Sequence, residues 1–247
     1  MISFNTFVWF WMAVAVIVFF VLLYIKAPYG RHTTKKWGPV ISNKWGWFWM
    51  ELPALLIFPL LVIFGYPTNK IYSAILVVMW LLHYVNRTLI FPFKIRTTDK
   101  VMPLAIVFMA VFFNSINGFI NGYWVGFLQP EMGRMPNLHM YFGAFIFIIG
   151  MAINKKADAK LIALRKEDVG YTIPQGWLFK YISCPNHLGE IIEWIGFAIA
   201  AWSLPAVAFA IWTVCNLAPR AFAHHKWYKE HFKNYPKERK ALIPFVI

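Results

Sequence analysis

The sequence predicts an all-α, polytopic integral membrane protein of about seven transmembrane helices in a single domain. Three observations predict it. Apolar, aromatic-rich runs recur from end to end of the chain. Basic residues gather in alternate connections between those runs. Polar residues in or beside the runs recur at helical spacing.

The runs come first. Of 247 residues, 60% are hydrophobic and 19% aromatic, and the mean hydropathy is +0.55. That is the composition of a membrane protein, not of a soluble domain with a large core. Phe4–Tyr24 is too long and uninterrupted for a signal-peptide core. The segment Lys26-Ala-Pro-Tyr-Gly-Arg31 follows it instead of a small-residue cleavage site, so it is read as the first span. Trp45–Tyr66 and Tyr72–Phe93 are the second and third spans. Val101–Ile120, Leu138–Ile153, Ile191–Trp202 and Pro205–Leu217 follow. The last two are short against the ~20 residues a span needs. They either continue into amphipathic turns or form a re-entrant hairpin about the turn Ser203-Leu204-Pro205.

The formal charge of +14 invites a nucleic-acid reading, but its distribution points to a membrane. With the N-terminus outside or lumenal, the cytoplasmic side holds Lys26, Arg31, Lys35, Lys36, Lys44, Lys94, Arg96 and Lys100. It also holds Lys155, Lys156, Lys160, Arg165, Lys166, Lys180 and every basic residue from Arg220 to Lys240. The other side holds only Lys70 and Arg134. This is the positive-inside pattern. Many of these side chains serve orientation and lipid headgroup contact.

Glu51 interrupts the second run, and Tyr84 and Arg87 lie in the third. A charge at mid-membrane costs roughly 2.5–3.5 kcal/mol on insertion scales, so such residues are functional candidates. Four stripes sit at or near the basic side: His83, Tyr84 and Arg87; Asn154, Asp158 and Arg165; Asn186, Glu190 and Glu193; Arg220, His224 and Tyr228. Singly, each reads equally as the solvated face of an amphipathic helix. Together they suit a ligand bearing phosphates, ribose hydroxyls and an amide. Arginine grips phosphate in bidentate fashion, while carboxylates and amides pair with hydroxyls. Asn114, Asn117 and Asn121 form another stripe on the fourth span, expected to serve helix–helix hydrogen bonding.

Other chemistry is not signalled. No Gly-x-Gly-x-x-Gly, Walker loop, His-Glu-x-x-His or Cys-x-x-Cys is present. Cys184 and Cys215 have no metal spacing. His224 and His225 are adjacent on a helix and point about 100° apart, so no metal site is expected. The sequon Asn86-Arg87-Thr88 falls inside a span and is discounted.

A set of ordered blocks runs through the chain. They are Pro28-Tyr-Gly-Arg-His32, Met50-Glu-Leu-Pro53, His83-Tyr-Val-Asn-Arg87, Gly170-Tyr-Thr-Ile-Pro174 and Asn186-His-Leu-Gly-Glu-Ile-Ile-Glu-Trp194. Trp202-Ser-Leu-Pro-Ala206, Arg220-Ala-Phe-Ala-His-His225 and the tail Tyr235-Pro-Lys-Glu-Arg-Lys-Ala-Leu-Ile-Pro244 complete the set. In these blocks the chain resembles the steroid 5-alpha-reductase family of membrane NADPH-dependent reductases. The resemblance implies a seven-helix fold that binds NADPH on the cytoplasmic side and takes a steroid from the lipid. It gives Glu51 and Tyr84 to the 3-keto oxygen of the substrate. It gives Arg87, Asn154, Asp158, Arg165, Tyr171, Asn186, Glu190, Arg220, His224 and Tyr228 to the dinucleotide. Tyr29, Arg31 and Arg96 are further carry-overs to the cofactor, and Trp47 to the substrate. Residues 1–125 are then the substrate-side helices and 138–247 mainly the cofactor-side region. His187 and Thr172 depart from the commoner residues of relatives. A monomer in a bacterial inner membrane or endoplasmic reticulum is expected, with lipid contacts and no nucleic acid.

The implied reaction reduces the 4,5 double bond of a 3-oxo-4-ene steroid. Hydride adds at C5 while the carbonyl is polarised. Tyr84 can donate a hydrogen bond to that oxygen, and Glu51 can do so only when protonated. Three alternatives stand beside this reading: a sterol C14-type reductase, an isoprenylcysteine-type methyltransferase, and a non-enzymatic sterol-binding membrane protein.

Overall fold

In the computed structural model, residues 3–28, 30–95, 100–129, 137–165 and 171–247 are described, with Lys35 in its backbone alone. Of the residues singled out above, Tyr29, Arg96, Arg134, Lys166 and Gly170 lie outside that set. The fold is almost wholly helical. The elements are α1 (Phe4–Tyr24), β1 (Val40–Ser42), α2 (Asn43–Phe64), α3 (Lys70–Val85), α4 (Phe91–Lys94), β2 (Val101–Pro103), α5 (Leu104–Tyr123), α6 (Leu138–Leu164), α7 (Pro185–Ala201) and α8 (Leu204–His231).

Among the described residues, six helical stretches are long and apolar enough to cross a membrane: Phe4–Tyr24, Asn43–Phe64, Lys70–Lys94, Leu104–Leu128, Leu138–Leu164 and Leu204–His231. Helix α7, with 17 residues, spans about 26 Å at 1.5 Å per residue. The two short C-terminal runs of the sequence therefore continue as helix. The first gains a turn and a half at its start, from Pro185, and the second continues to His231. The fourth run begins later as helix than its apolar residues suggest. Val101–Pro103 pairs antiparallel with Val40–Ser42, and Pro103, in extended conformation, precedes the first turn of α5.

Large apolar side chains remain exposed along the helices, among them Phe10, Ile17, Ile63, Phe64, Phe108, Phe112 and Phe145. Apolar surface at this density suits a lipid solvent. Helix α1 shows the consequence. It is apolar all round, and its buried residues Val8, Trp11, Met12 and Ala15 form one stripe at spacings of three, one and three.

The chain divides into two compact units. Unit 1 comprises Met1–Lys26, Phe145–Ala198 and Val207–Ile247; unit 2 comprises Ala27–Ala144 and Ile199–Ala206. In unit 1, α1 meets α8 where the Trp11 and Trp212 rings lie 4.7 Å apart and Trp212 Nε1 donates to the Trp11 carbonyl at 3.0 Å. Trp194 of α7 is buried against Phe147, Phe197 and Phe209.

In unit 2, α2 and α5 pack through Gly118, Gly122 and Gly126, spaced four apart on α5 and the turn that follows it. A Cβ on Gly122 would meet the backbone of Phe58 at 3.0 Å, and one on Gly126 would overlap the Leu61 carbonyl. Small residues at this spacing let membrane helices approach backbone to backbone. Tyr66 N–H closes the contact with a bond to the Gly126 carbonyl at 2.8 Å.

Candidate functional site

In unit 2, the register of α2 against α3 is fixed by two contacts. Trp80 Nε1 donates to the Ala54 carbonyl at 2.8 Å, and the Trp80 ring stacks on Phe58 at 4.2 Å. A third contact lies two turns on, where the Arg87 guanidinium sits 5.6 Å from the Trp47 ring. Glu51 is three residues before Ala54 and four after Trp47. Tyr84 is four after Trp80 and three before Arg87. Neighbours three and four apart share a helix face, so Glu51 and Tyr84 lie at one level, bracketed by these contacts. Tyr84 is 2% exposed with its ring 4.9 Å from Trp80; Glu51 is half-buried.

Arg87 owes its place to a local break in the helix. After Val85 the chain forms a π turn over Asn86–Ile90, and Phe91 N–H bonds to the Asn86 carbonyl. Pro92 follows. It withholds the N–H that the Thr88 carbonyl would accept in an α-helix, and its ring crowds that carbonyl. Such turns recur at functional sites. Arg87 is buried, with its guanidinium 4.9 Å from the Phe91 ring as well as near Trp47. Arg31 is half-buried in a short turn, Gly30–His32.

Asn114 of α5 reaches the same level. Its Nδ2 donates to the Met50 carbonyl at 2.6 Å and to Glu51 Oε2 at 3.2 Å. The helix–helix bonding expected of the asparagine stripe is present here. The direct contact with Glu51 was not foreseen.

In unit 1, Asn154 of α6 is the hub of a second polar cluster. Its Nδ2 donates to the Asn186 carbonyl at 3.0 Å and to Glu190 Oε2 at 3.2 Å, both on α7. Two glycines make this possible. A Cβ on Gly150 would overlap the Glu193 backbone, and one on Gly189 would overlap that of Asn154. The helices therefore touch backbone to backbone where their polar stripes meet. These glycines were not singled out from the sequence. The readable signal was a small residue one turn before Asn154 and another one turn after Asn186.

Asp158, one turn beyond Asn154, is buried. Arg165 follows the end of α6 with its guanidinium 5.9 Å from the Tyr171 ring. On α8, Arg220 directly follows Pro219 and is half-buried. The His224 ring lies 5.7 Å from that of His187 on α7. Tyr228 is buried and stacks on Tyr235 at 5.3 Å. The adjacent histidines diverge, for His225 turns to Ser183.

Ser183 holds the C-terminal tail. Its hydroxyl lies 2.6 Å from His225 Nδ1, 2.6 Å from Tyr235 Oη and 3.1 Å from the Lys240 carbonyl. A carbonyl only accepts, so the hydroxyl donates to Lys240. It then accepts from Tyr235 O–H and from His225 Nδ1–H, which assigns the tautomer. Backbone bonds run alongside, from Ser183 N–H to the Lys240 carbonyl at 2.9 Å and from Lys240 N–H to the Tyr181 carbonyl at 2.9 Å. Burial pushes the Tyr235 hydroxyl above its ordinary tyrosine value, against the opposing effect of the nearby Arg239 charge.

Comparison with known proteins bears on both clusters. The model of the 3-oxo-5-alpha-steroid 4-dehydrogenase family matches residues 100–247. The chain is 39% identical over 236 residues to steroid 5-alpha-reductase DET2 of Gossypium hirsutum, covering 91% of this chain and 90% of that protein. It is 41% identical over 234 residues to the DET2 protein of Arabidopsis thaliana, covering 91% and 89%. It is 42% identical over 189 residues to 3-oxo-5-alpha-steroid 4-dehydrogenase 2 of Homo sapiens, covering 75% and 71%.

Proposed function

We propose a division of labour for this chain, which belongs to the 3-oxo-5-alpha-steroid 4-dehydrogenase (steroid 5-alpha-reductase) family and is a membrane-embedded oxidoreductase of steroids. Glu51 and Tyr84 in unit 2 hold the 3-keto oxygen of a 3-oxo-4-ene steroid. Asn154, Asp158, Arg165, Tyr171, Asn186, Glu190, Arg220, His224 and Tyr228 in unit 1 hold NADPH. The observation that carries this reading is the shared level of Glu51 and Tyr84, set by the contacts of Trp80 with Ala54 and of Arg87 with Trp47.

The unit 1 residues suit the cofactor by their chemistry. Arg165 and Arg220 match phosphate charge, and the carboxyls and amides of the Asn154 cluster match hydroxyls and a carboxamide. NADPH, when bound, supplies the hydride that the 4,5 double bond receives at C5.

The chain's own groups act on the other end of the enone. As C5 is reduced, negative charge moves through the conjugated system to O3. Tyr84 donates a hydrogen bond to that oxygen, and Glu51, in its protonated form, donates a second. Donors aimed at developing charge in a water-poor site are each worth roughly 3 kcal/mol of transition-state stabilisation. C4 then takes a proton, from solvent or from a nearby acid. The substrate enters from the lipid, the N-terminus lies outside and the C-terminus in the cytoplasm.

The test is NADPH oxidation by the purified chain in detergent or lipid, with progesterone, testosterone and a control steroid lacking the 4-ene. Turnover of the enones alone, with a 5-alpha product, is the expected result. Titration with NADPH and with S-adenosylmethionine by intrinsic fluorescence checks the cofactor. Saturable binding of the methyl donor in place of NADPH overturns the assignment.

A further inference from the structure

We infer that Asn114 is a positioning residue for Glu51, fixing which carboxyl oxygen bears the proton. The inference rests on the reading of Glu51 as a donor to the 3-keto oxygen.

The geometry begins with the amide. Asn114 is 5% exposed, and its Nδ2 lies 2.6 Å from the Met50 carbonyl oxygen. A carbonyl oxygen carries no proton, so the atom facing it must be the NH₂ group and not the amide oxygen. The orientation of the Asn114 side chain follows from chemistry alone. The same nitrogen faces Glu51 Oε2 at 3.2 Å. The amide is thus anchored to the α2 backbone at the residue before Glu51, and it offers that carboxyl a hydrogen and not a lone pair.

A protonated carboxyl has one O–H and one carbonyl oxygen. With Asn114 donating to Oε2, that oxygen is the acceptor and the proton belongs on Oε1. Without Asn114, the carboxyl loses the donor that marks Oε2 as its acceptor, and fewer conformers present O–H to the substrate. A bond that only stapled α5 to α2 would be complete at the Met50 carbonyl. The second contact is what ties the amide to the reactive group.

The experiment is a double-mutant cycle on the full chain in single turnover, at saturating NADPH, with a 3-oxo-4-ene steroid. Asn114→Leu is expected to slow reduction about tenfold, the scale of one buried hydrogen bond. In a Glu51→Leu background the same substitution should change the rate less than twofold, and NADPH affinity should stay constant. Equal loss in both backgrounds, or no loss in either, overturns the inference while leaving the Glu51 reading intact. Full activity of Glu51→Leu alone overturns the Glu51 reading and this inference with it. Thermal melting reports folding. If Asn114→Leu does not fold, Asn114→Ser, with a single donor, enters the same cycle.

Discussion

Gly189 lies so close to Asn154 that a single added carbon would strike the asparagine backbone. This approach places Asn154 Nδ2 within reach of both the Asn186 carbonyl and Glu190. Gly189→Ala forces α6 and α7 apart at that point. The expected cost is about 1–3 kcal/mol of stability, as for other overpacked contacts. NADPH binding should weaken together with the loss of the Asn154 bonds. Thermal melting and a fluorescence titration of the purified variant measure both. An unchanged melting temperature would show that the helices separate at no cost.

Tyr84→Phe removes one hydroxyl and keeps the ring that packs on Trp80. Turnover should fall about a hundredfold, the scale for a lost oxyanion donor, with NADPH affinity nearly unchanged. Glu51→Gln keeps a donor and should retain more activity than Glu51→Leu. Steady-state kinetics with separate cofactor titrations check the split. Equal loss of turnover and NADPH affinity in Tyr84→Phe would move Tyr84 from the carbonyl to the cofactor.

The helices and the polar positions Glu51 and Tyr84 within them were legible because both are local properties of the sequence. An apolar run announces a span, and Glu51 or Arg87 inside one announces itself by its cost. The asparagine stripe on α5 was legible as a stripe but not as a partner of Glu51. Periodicity gives the face of a residue, not the helix opposite it. Gly150 and Gly189 could be read as small residues one turn from the polar stripes, but not as partners, since a close approach is a property of two helices. The paired strands, three residues each, are too short to leave a pattern. The π turn at Asn86–Ile90 comes just before Pro92, and a proline there also reads as an ordinary helix end.

Ser183→Ala should loosen the C-terminal tail without touching the Asn154 cluster. It leaves the Lys240 carbonyl, His225 Nδ1 and Tyr235 Oη each without the hydroxyl they share. A buried polar group left unsatisfied costs about 1–3 kcal/mol. Hydrogen exchange should rise at Lys240, whose amide bonds to the Tyr181 carbonyl, while amides in the middle of α2 and α5 keep their protection. Uniform loss of protection across the chain would mean that the tail and the helices unfold as one.

The same network predicts how the tail responds to alkali. Burial raises the Tyr235 hydroxyl above its ordinary value, so the folded state binds that proton more tightly than the unfolded state. The stabilisation is complete below the unfolded tyrosine value of about 10 and is lost as pH climbs from there through the higher folded value. Acidification to neutral pH leaves it untouched. Tyr235→Phe cannot ionise, so it should lack this alkaline loss while starting from lower stability through its missing bond to Ser183. Melting curves of the two proteins from pH 7 to roughly pH 11 should therefore converge. Parallel curves over that range would show that ionisation of Tyr235 does not govern the docking of the tail.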